Sequence, residues 1–112
     1  MPGRIVKNQD VTVIALEEDC LDSTTVQGIK RSLRPLVQPN ARVVLDLARV
    51  CHVDGAGVGA VLSFHRQMSA VGGKVKLSSI SQPVRALFQR MRMHWVFDIH
   101  NGREEAVESF RL

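Results

Sequence analysis

The sequence predicts an α/β domain: a mixed, mostly parallel sheet of about five strands carrying four helices. Three observations lead there. Short β-branched runs alternate with longer segments whose apolar residues recur at helical spacing. The run from Arg42 to Leu47, RVVLDL, is apolar without clear alternation, as expected of a strand covered on both faces of a parallel sheet. Finally, 112 residues, 45% hydrophobic and 23% charged, suffice for one packed core and are too few for two, so residues 1–112 are read as one domain.

The elements follow in chain order. Ile5 and Val6, then Val11 to Leu16 (VTVIAL), are two strands joined across Asn8-Gln9-Asp10 as a hairpin. Asp22 is placed as the cap of a first helix, which buries Val26, Ile29 and Leu33, with Pro35 either ending it or falling in its last turn. After the central strand, VDGAGVGAVLSFHRQMSAV carries Val58, Val61, Leu62, His65 and Met68 along one stripe, and Gly72-Gly73 stops this second helix. Lys74 to Ile80 is a strand. Ser81 and Pro83 then start a third helix with Val84, Leu87, Phe88 and Met91 inward. Trp95, Val96, Phe97 and Ile99 complete the sheet, with Met91, Met93, Trp95 and Phe97 read as core in preference to an exposed stripe. Asn101 and Glu104 have capping-box spacing ahead of a last helix bearing Ala106, Val107 and Phe110. Right-handed crossovers put the strand ends preceding the first two helices on one edge of the sheet, where function collects in open α/β folds. Cys20 and Cys51 precede those helices and are expected near each other as reduced thiols, since they lack CxxC spacing.

Composition excludes several functions. The net charge of +4 comes from basic residues scattered in short groups, Tyr is absent, and the aromatics are four Phe and Trp95. An acidic protein partner is therefore expected ahead of a nucleic acid. No apolar run is long enough to insert in a membrane and the start, Met1-Pro2-Gly3-Arg4, has no secretory pattern, so a cytoplasmic protein is expected. His52, His94 and His100 have no metal-ligand spacing, and His65 sits on an apolar stripe. Ser63, Ser78 and Ser79 lie in no nucleophile elbow and the carboxylates are scattered, so the chain is read as a non-enzyme without cofactor or metal.

The glycines of Gly55-Ala56-Gly57-Val58-Gly59 suggest a phosphate cradle at a helix start. The surrounding pattern does not fit one. Ala48 to Asp54 separate the loop from its strand, Leu77-Ser78-Ser79 occupy the place of the acidic residue of a dinucleotide site, and no Gly-Lys-Ser or Gly-Lys-Thr follows. Instead RVVLDLARVCHVDGAGVGAVL with GGKVKLSSISQPVRALFQRM resembles the STAS domain of anti-sigma factor antagonists over nearly the whole chain. Asp46, Asp54, Gly57, Gly59, Gly72, Gly73, Ser81 and Pro83 match that family's pattern, as does Leu21 to Thr25, LDSTT, before the first helix.

The resemblance implies a regulatory protein-binding module in a partner switch. The unmodified domain binds an anti-sigma kinase, releasing a sigma factor, until phosphorylation of a loop serine ends the complex. A phosphate adds roughly two negative charges, enough to disrupt a close interface. Here Gly55 and Ala56 replace the two loop serines and Gly55 occupies the phosphoacceptor position. Binding that is constitutive, or regulated elsewhere such as at Ser23, Thr24 or Thr25, is expected. The expected partner-binding residues are Asp22, Ser23, Asp54, Gly55, Ala56, Gly57 and Arg66, with Asp54 also capping the second helix and Gly57 and Gly59 permitting close packing. The implied partner is an anti-sigma factor or histidine-kinase-like ATPase. The alternative is a STAS subunit of a stress-sensing or membrane-transport assembly, alongside other STAS proteins or transporter subunits. Nucleotide binding has only the glycine loop in its favour.

Overall fold

A computed structural model describes residues 3–111 apart from Gln9. Its sheet has the order β1-β2-β4-β6-β7, from β1 (Gly3–Asn8), β2 (Val11–Leu16), β4 (Arg42–Asp46), β6 (Lys74–Ser78) and β7 (Asp98–His100). β1 runs antiparallel to β2, and the other neighbours are parallel. The helices are α1 (Val26–Leu33), α2 (Gly55–Ala70), α3 (Gln82–Arg90) and α4 (Arg103–Ser109). The expected mixed sheet with four helices thus forms, and the hairpin gains a longer first strand than Ile5 and Val6 alone, while its turn includes Gln9, outside the described residues.

Both faces of the sheet are covered. On one, Ile14, Leu16, Val43, Leu45, Val75 and Leu77 pack against α1, α2 and α3 through side chains such as Ile29, Val61, Phe64, Met68 and Phe88. On the other, Val11, Val13 and Val44 meet Ala106 and Val107 of α4. Successive residues of β4 therefore bury to opposite sides, which is why RVVLDL shows no alternation. Each large side chain so buried contributes about 1.5–3 kcal/mol.

Several boundaries differ from expectation, each for a local reason. Leu47 is buried yet lies beyond β4. β6 ends at Ser78, because Ser79 turns into the left-handed region at φ 64°. On α2, Ala60 and Phe64 are buried while Leu62 and His65 are only half-buried, since the helix packs on α1 as well as on the sheet. Gly72 at φ 76° ends α2 as expected, and the following Gly73 N–H donates to Met68 O at 2.8 Å.

The largest departure follows α3. Met91 is exposed, and Arg92 adopts φ 58°, redirecting the chain into a single 3-10 turn at Met93–Trp95. Trp95 consequently leaves the sheet and is 70% exposed, with the Arg92 guanidinium over its ring, and Val96 is also exposed. Met93 and Phe97 are core. The capping box does not form: Gly102 is the N-cap of α4, the Asn101 side chain accepts from Arg85, and Glu105 pairs with His100 at 3.3 Å.

A polar row crosses the α4 face at the C-terminal end of the parallel strands. Strand register aligns Arg4, Ala15, Asp46, Ser78 and His100 across all five strands. Asp46 is 3% exposed; its Oδ2 accepts from Arg103 Nε at 2.8 Å and its Oδ1 from Ala48 N–H at 2.9 Å. Removing Arg103 strands a buried carboxylate, so Arg103→Ala is expected to destabilise the fold by about 1–3 kcal/mol. Arg42→Ala, which breaks only the exposed pair with Asp10, is expected to cost about 0–1 kcal/mol. Urea unfolding of both variants checks the difference, and equal midpoints would show that the Asp46–Arg103 pair contributes no more than a surface contact.

Candidate functional site

The loops leaving β2 and β4 are held together by a second, two-stranded parallel sheet of β3 (Cys20–Leu21) and β5 (His52–Val53). Such two-residue strands have no signature of their own in sequence, and the pairing became visible only in three dimensions. Cys51 N–H donates to Asp19 O at 2.8 Å and Asp54 N–H to Leu21 O at 3.1 Å, so the start of α2 is tied to the segment preceding α1.

Asp54 caps α2 as expected: its backbone is extended and its Oδ1 accepts from Gly57 N–H at 3.1 Å. Gly57 is buried against the same clamp. A Cβ at this position would collide with the Leu21 carbonyl oxygen and lie 2.7 Å from its carbon, so only glycine allows the helix to approach. Gly55 and Ala56 form the exposed first turn of α2, and nothing lies within 4 Å of a Cβ built on Gly55 or Gly59. The result is a flat, nearly side-chain-free surface on a fixed backbone.

Beside it lies the turn from Asp22 to Thr25. The Asp22 side chain does not cap α1; Thr25 is the N-cap residue and makes no side-chain capping bond. Asp22 Oδ1 instead accepts from Thr24 N–H at 2.9 Å and Thr24 Oγ1 at 2.6 Å, an Asx-type closure favoured by the short spacing. The hydroxyl of Thr24, then the backbone N–H groups, hold the Asp22 carboxyl below its ordinary pKa. The turn is therefore at full strength above the unfolded carboxyl pKa of about 3.9 and loosens as the pH falls below it. Thr25 Oγ1 donates to Cys20 O at 2.9 Å, so Thr24 and Thr25 both spend their hydroxyls on structure, whereas Ser23 is exposed. Arg66 is exposed on α2 but, 11 residues on from Gly55, stands about 16 Å along the helix axis and apart from this edge.

The two cysteines lie on the neighbouring loop segments, both free, Cys20 half-buried and Cys51 exposed. Burial first, then the charges of Asp22 and Asp19, then Cys51 and Glu18, raise the Cys20 thiol pKa. Among the described residues, no group of three or more His, Cys, Asp or Glu side chains is arranged to hold a metal, and no helix is long and apolar enough to cross a membrane.

Comparison with known proteins gives a consistent set of relatives. The model of the STAS domain family matches residues 4–106. BtrV of Bordetella bronchiseptica, a candidate anti-sigma factor antagonist, is 29% identical over 103 residues, or 91% of this chain and 89% of its own. The anti-sigma factor antagonist SpoIIAA in its unphosphorylated form superposes with a TM-score of 0.78 at 26% identity, over 97% of this chain and 96% of that one. Its phosphorylated form, from Bacillus, gives 0.71 at 24% identity, over 96% and 98%. A sulfate transporter family protein from Wolinella succinogenes shares the fold, with a TM-score of 0.73 at 15% identity over 93% of this chain and 87% of that one.

The clamp distinguishes two glycines of one helix. Gly57→Ala is expected to cost about 1–3 kcal/mol through overpacking against Leu21. Gly59→Ala, with open space at its Cβ, is expected to add about 0.5–1 kcal/mol by restricting the unfolded chain. Chemical denaturation reads both, and a neutral Gly57→Ala would mean that the clamp yields. Brief alkylation with iodoacetamide is expected to label Cys51 ahead of Cys20 because the thiolate is the reactive form. Peptide mass spectrometry gives the order, and the reverse order would contradict the placement of the two thiols.

Proposed function

The chain belongs to the STAS domain family, and on that basis we propose that it is a non-catalytic regulatory module that binds an anti-sigma factor or a histidine-kinase-like ATPase. The docking surface is the first turn of α2 with the adjoining turn before α1, Asp22, Ser23, Asp54, Gly55 and Ala56; Gly57, expected to contact the partner, is buried and serves instead to hold that turn against Leu21. The observation that carries this reading is the exposed, flat Gly55-Ala56 turn on a backbone locked by the Asp54 cap and by Gly57 against Leu21. A preorganised surface loses little freedom on binding, so modest contacts yield useful affinity. Lys30 and Arg34 line a groove between α1 and α2, and Arg66 is exposed farther along α2. An acidic partner surface extending past the first turn meets these cations, which gives Arg66 its part in binding.

SpoIIAA exists with and without phosphate. Gly55 has no hydroxyl to accept one, and the flanking Ala56 has none either. Binding here is accordingly constitutive or controlled at another position. A second reading, a STAS subunit of a stress-sensing or transport assembly, draws on the same absence, because a permanent assembly contact needs no phosphoswitch.

Gly55→Arg tests the surface without disturbing the fold, since the new side chain enters open space. In pull-downs from the native cell analysed by mass spectrometry, the wild-type chain is expected to recover an anti-sigma factor or kinase-like ATPase. Gly55→Arg is expected to weaken that complex by at least about tenfold, or 1.4 kcal/mol, with an unchanged circular dichroism spectrum. Transporter or scaffold subunits lost in the same variant would favour the second reading, and a partner retained in full by Gly55→Arg would remove this surface from the interface.

A further inference from the structure

The α4 face holds a second feature that the docking edge does not use. Helix α4 has only seven residues and packs over β2, β4, β6 and β7, leaving the β1 side of that face open. A groove of about 520 Å³ lies there, beside the C-terminal ends of the parallel strands. That volume is within the roughly 300–1,000 Å³ of small-molecule sites, and strand C-terminal ends are where open α/β sheets bind ligands. Val6, Ala15 and Ala48 supply apolar lining, and Arg4, Arg49 and Arg103 supply cations.

The charge balance favours an anion. Asp46 also lines the groove, but both of its oxygens are occupied, by Arg103 Nε and Ala48 N–H, and it is nearly fully buried. Its effect is to anchor the Arg103 guanidinium through one nitrogen. Arg49 reaches only Asp19, at 3.5 Å with both side chains mostly exposed, a contact that solvent and competing anions readily replace. Arg4 enters no ion pair among the described residues, and the remaining carboxylate of the lining is Glu17. Guanidinium groups match the geometry of carboxylates and phosphates and bind them in bidentate fashion.

We propose that this groove binds a small amphiphilic oxyanion, a carboxylate or phosphate monoester on a short apolar body, with Arg4, Arg49 and Arg103 around the charged group and Val6, Ala15 and Ala48 against the apolar part. The groove opens on the α4 face while α2 packs on the opposite face of the sheet, so it is distinct from the Gly55-Ala56 surface although both border the loops leaving β2 and β4.

Titration of the isotopically labelled full chain with inorganic phosphate, hexyl phosphate and hexanoate, followed by NMR, tests it. Saturable shifts are expected at Ala15, Ala48 and Arg103 amides. Hexyl phosphate is expected to bind at least about tenfold tighter than inorganic phosphate, because its chain removes apolar surface from water. The double variant Arg4→Gln, Arg49→Gln is expected to raise the Kd for hexyl phosphate at least about tenfold, and Glu17→Gln to lower it about twofold or more. Whichever of hexyl phosphate and hexanoate binds tighter identifies the head group. Shifts that do not saturate, that spread over the surface, or that are indifferent to these exposed-residue variants would overturn the proposal. Equal affinity for inorganic and hexyl phosphate would overturn the amphiphilic class.

Discussion

Burial of β4 on both faces is the constraint from which the rest of the molecule follows. Val43 and Leu45 face α1, α2 and α3, while Val44 and Asp46 face the α4 side. A strand with both faces out of water needs its backbone groups paired on both edges, and β2 and β6 provide that in parallel register. Parallel neighbours in turn require crossover helices, and because β2 and β4 run in the same direction their exits fall on one edge. The position of the candidate site is thus a consequence of core packing.

At that edge, geometry is maintained by backbone contact more than by side chains. β3 and β5 pair for two residues only, yet they join the segment before α1 to the segment before α2. The absence of a Cβ at Gly57 lets α2 reach the Leu21 carbonyl. Asp54 completes the arrangement by satisfying a helix-end N–H that would otherwise lack a partner. What emerges is a surface with little side chain and little freedom, suited to recognition by shape. Neither Gly55 nor Ala56 brings a hydroxyl to this first turn.

The α4 side follows a different logic. The carboxylate of Asp46 is buried in a sheet row where a hydrophobic residue would pack more cheaply, and its cost is offset by Arg103 and the Ala48 N–H. Such a pair is better understood as orienting an arginine than as strengthening the fold. Because α4 is short, that arginine stands at the rim of an open groove, with Arg4 brought there by the antiparallel register of β1 on β2.

Local patterns in the sequence were enough for the element order, the buried stripes of α1, the double-faced β4, the Gly72 stop and the Asp54 cap, because each depends on neighbours a few residues away. They also placed the glycine loop at a helix start and, through the resemblance carried by Asp46, Asp54, Gly57 and the Gly72-Gly73 turn, in the STAS family. The structure decided where two local arrangements compete for the same residues and where the partners lie far apart in the chain. Asp22 has the spacing of a cap, but Thr24 offers its carboxylate two nearer donors. Trp95 reads as core until the left-handed Arg92 turns the chain outward. The β3–β5 pair and the alignment of Arg4 with Asp46 arise from strand register, a property of which strands meet, and no single stretch of chain contains that information.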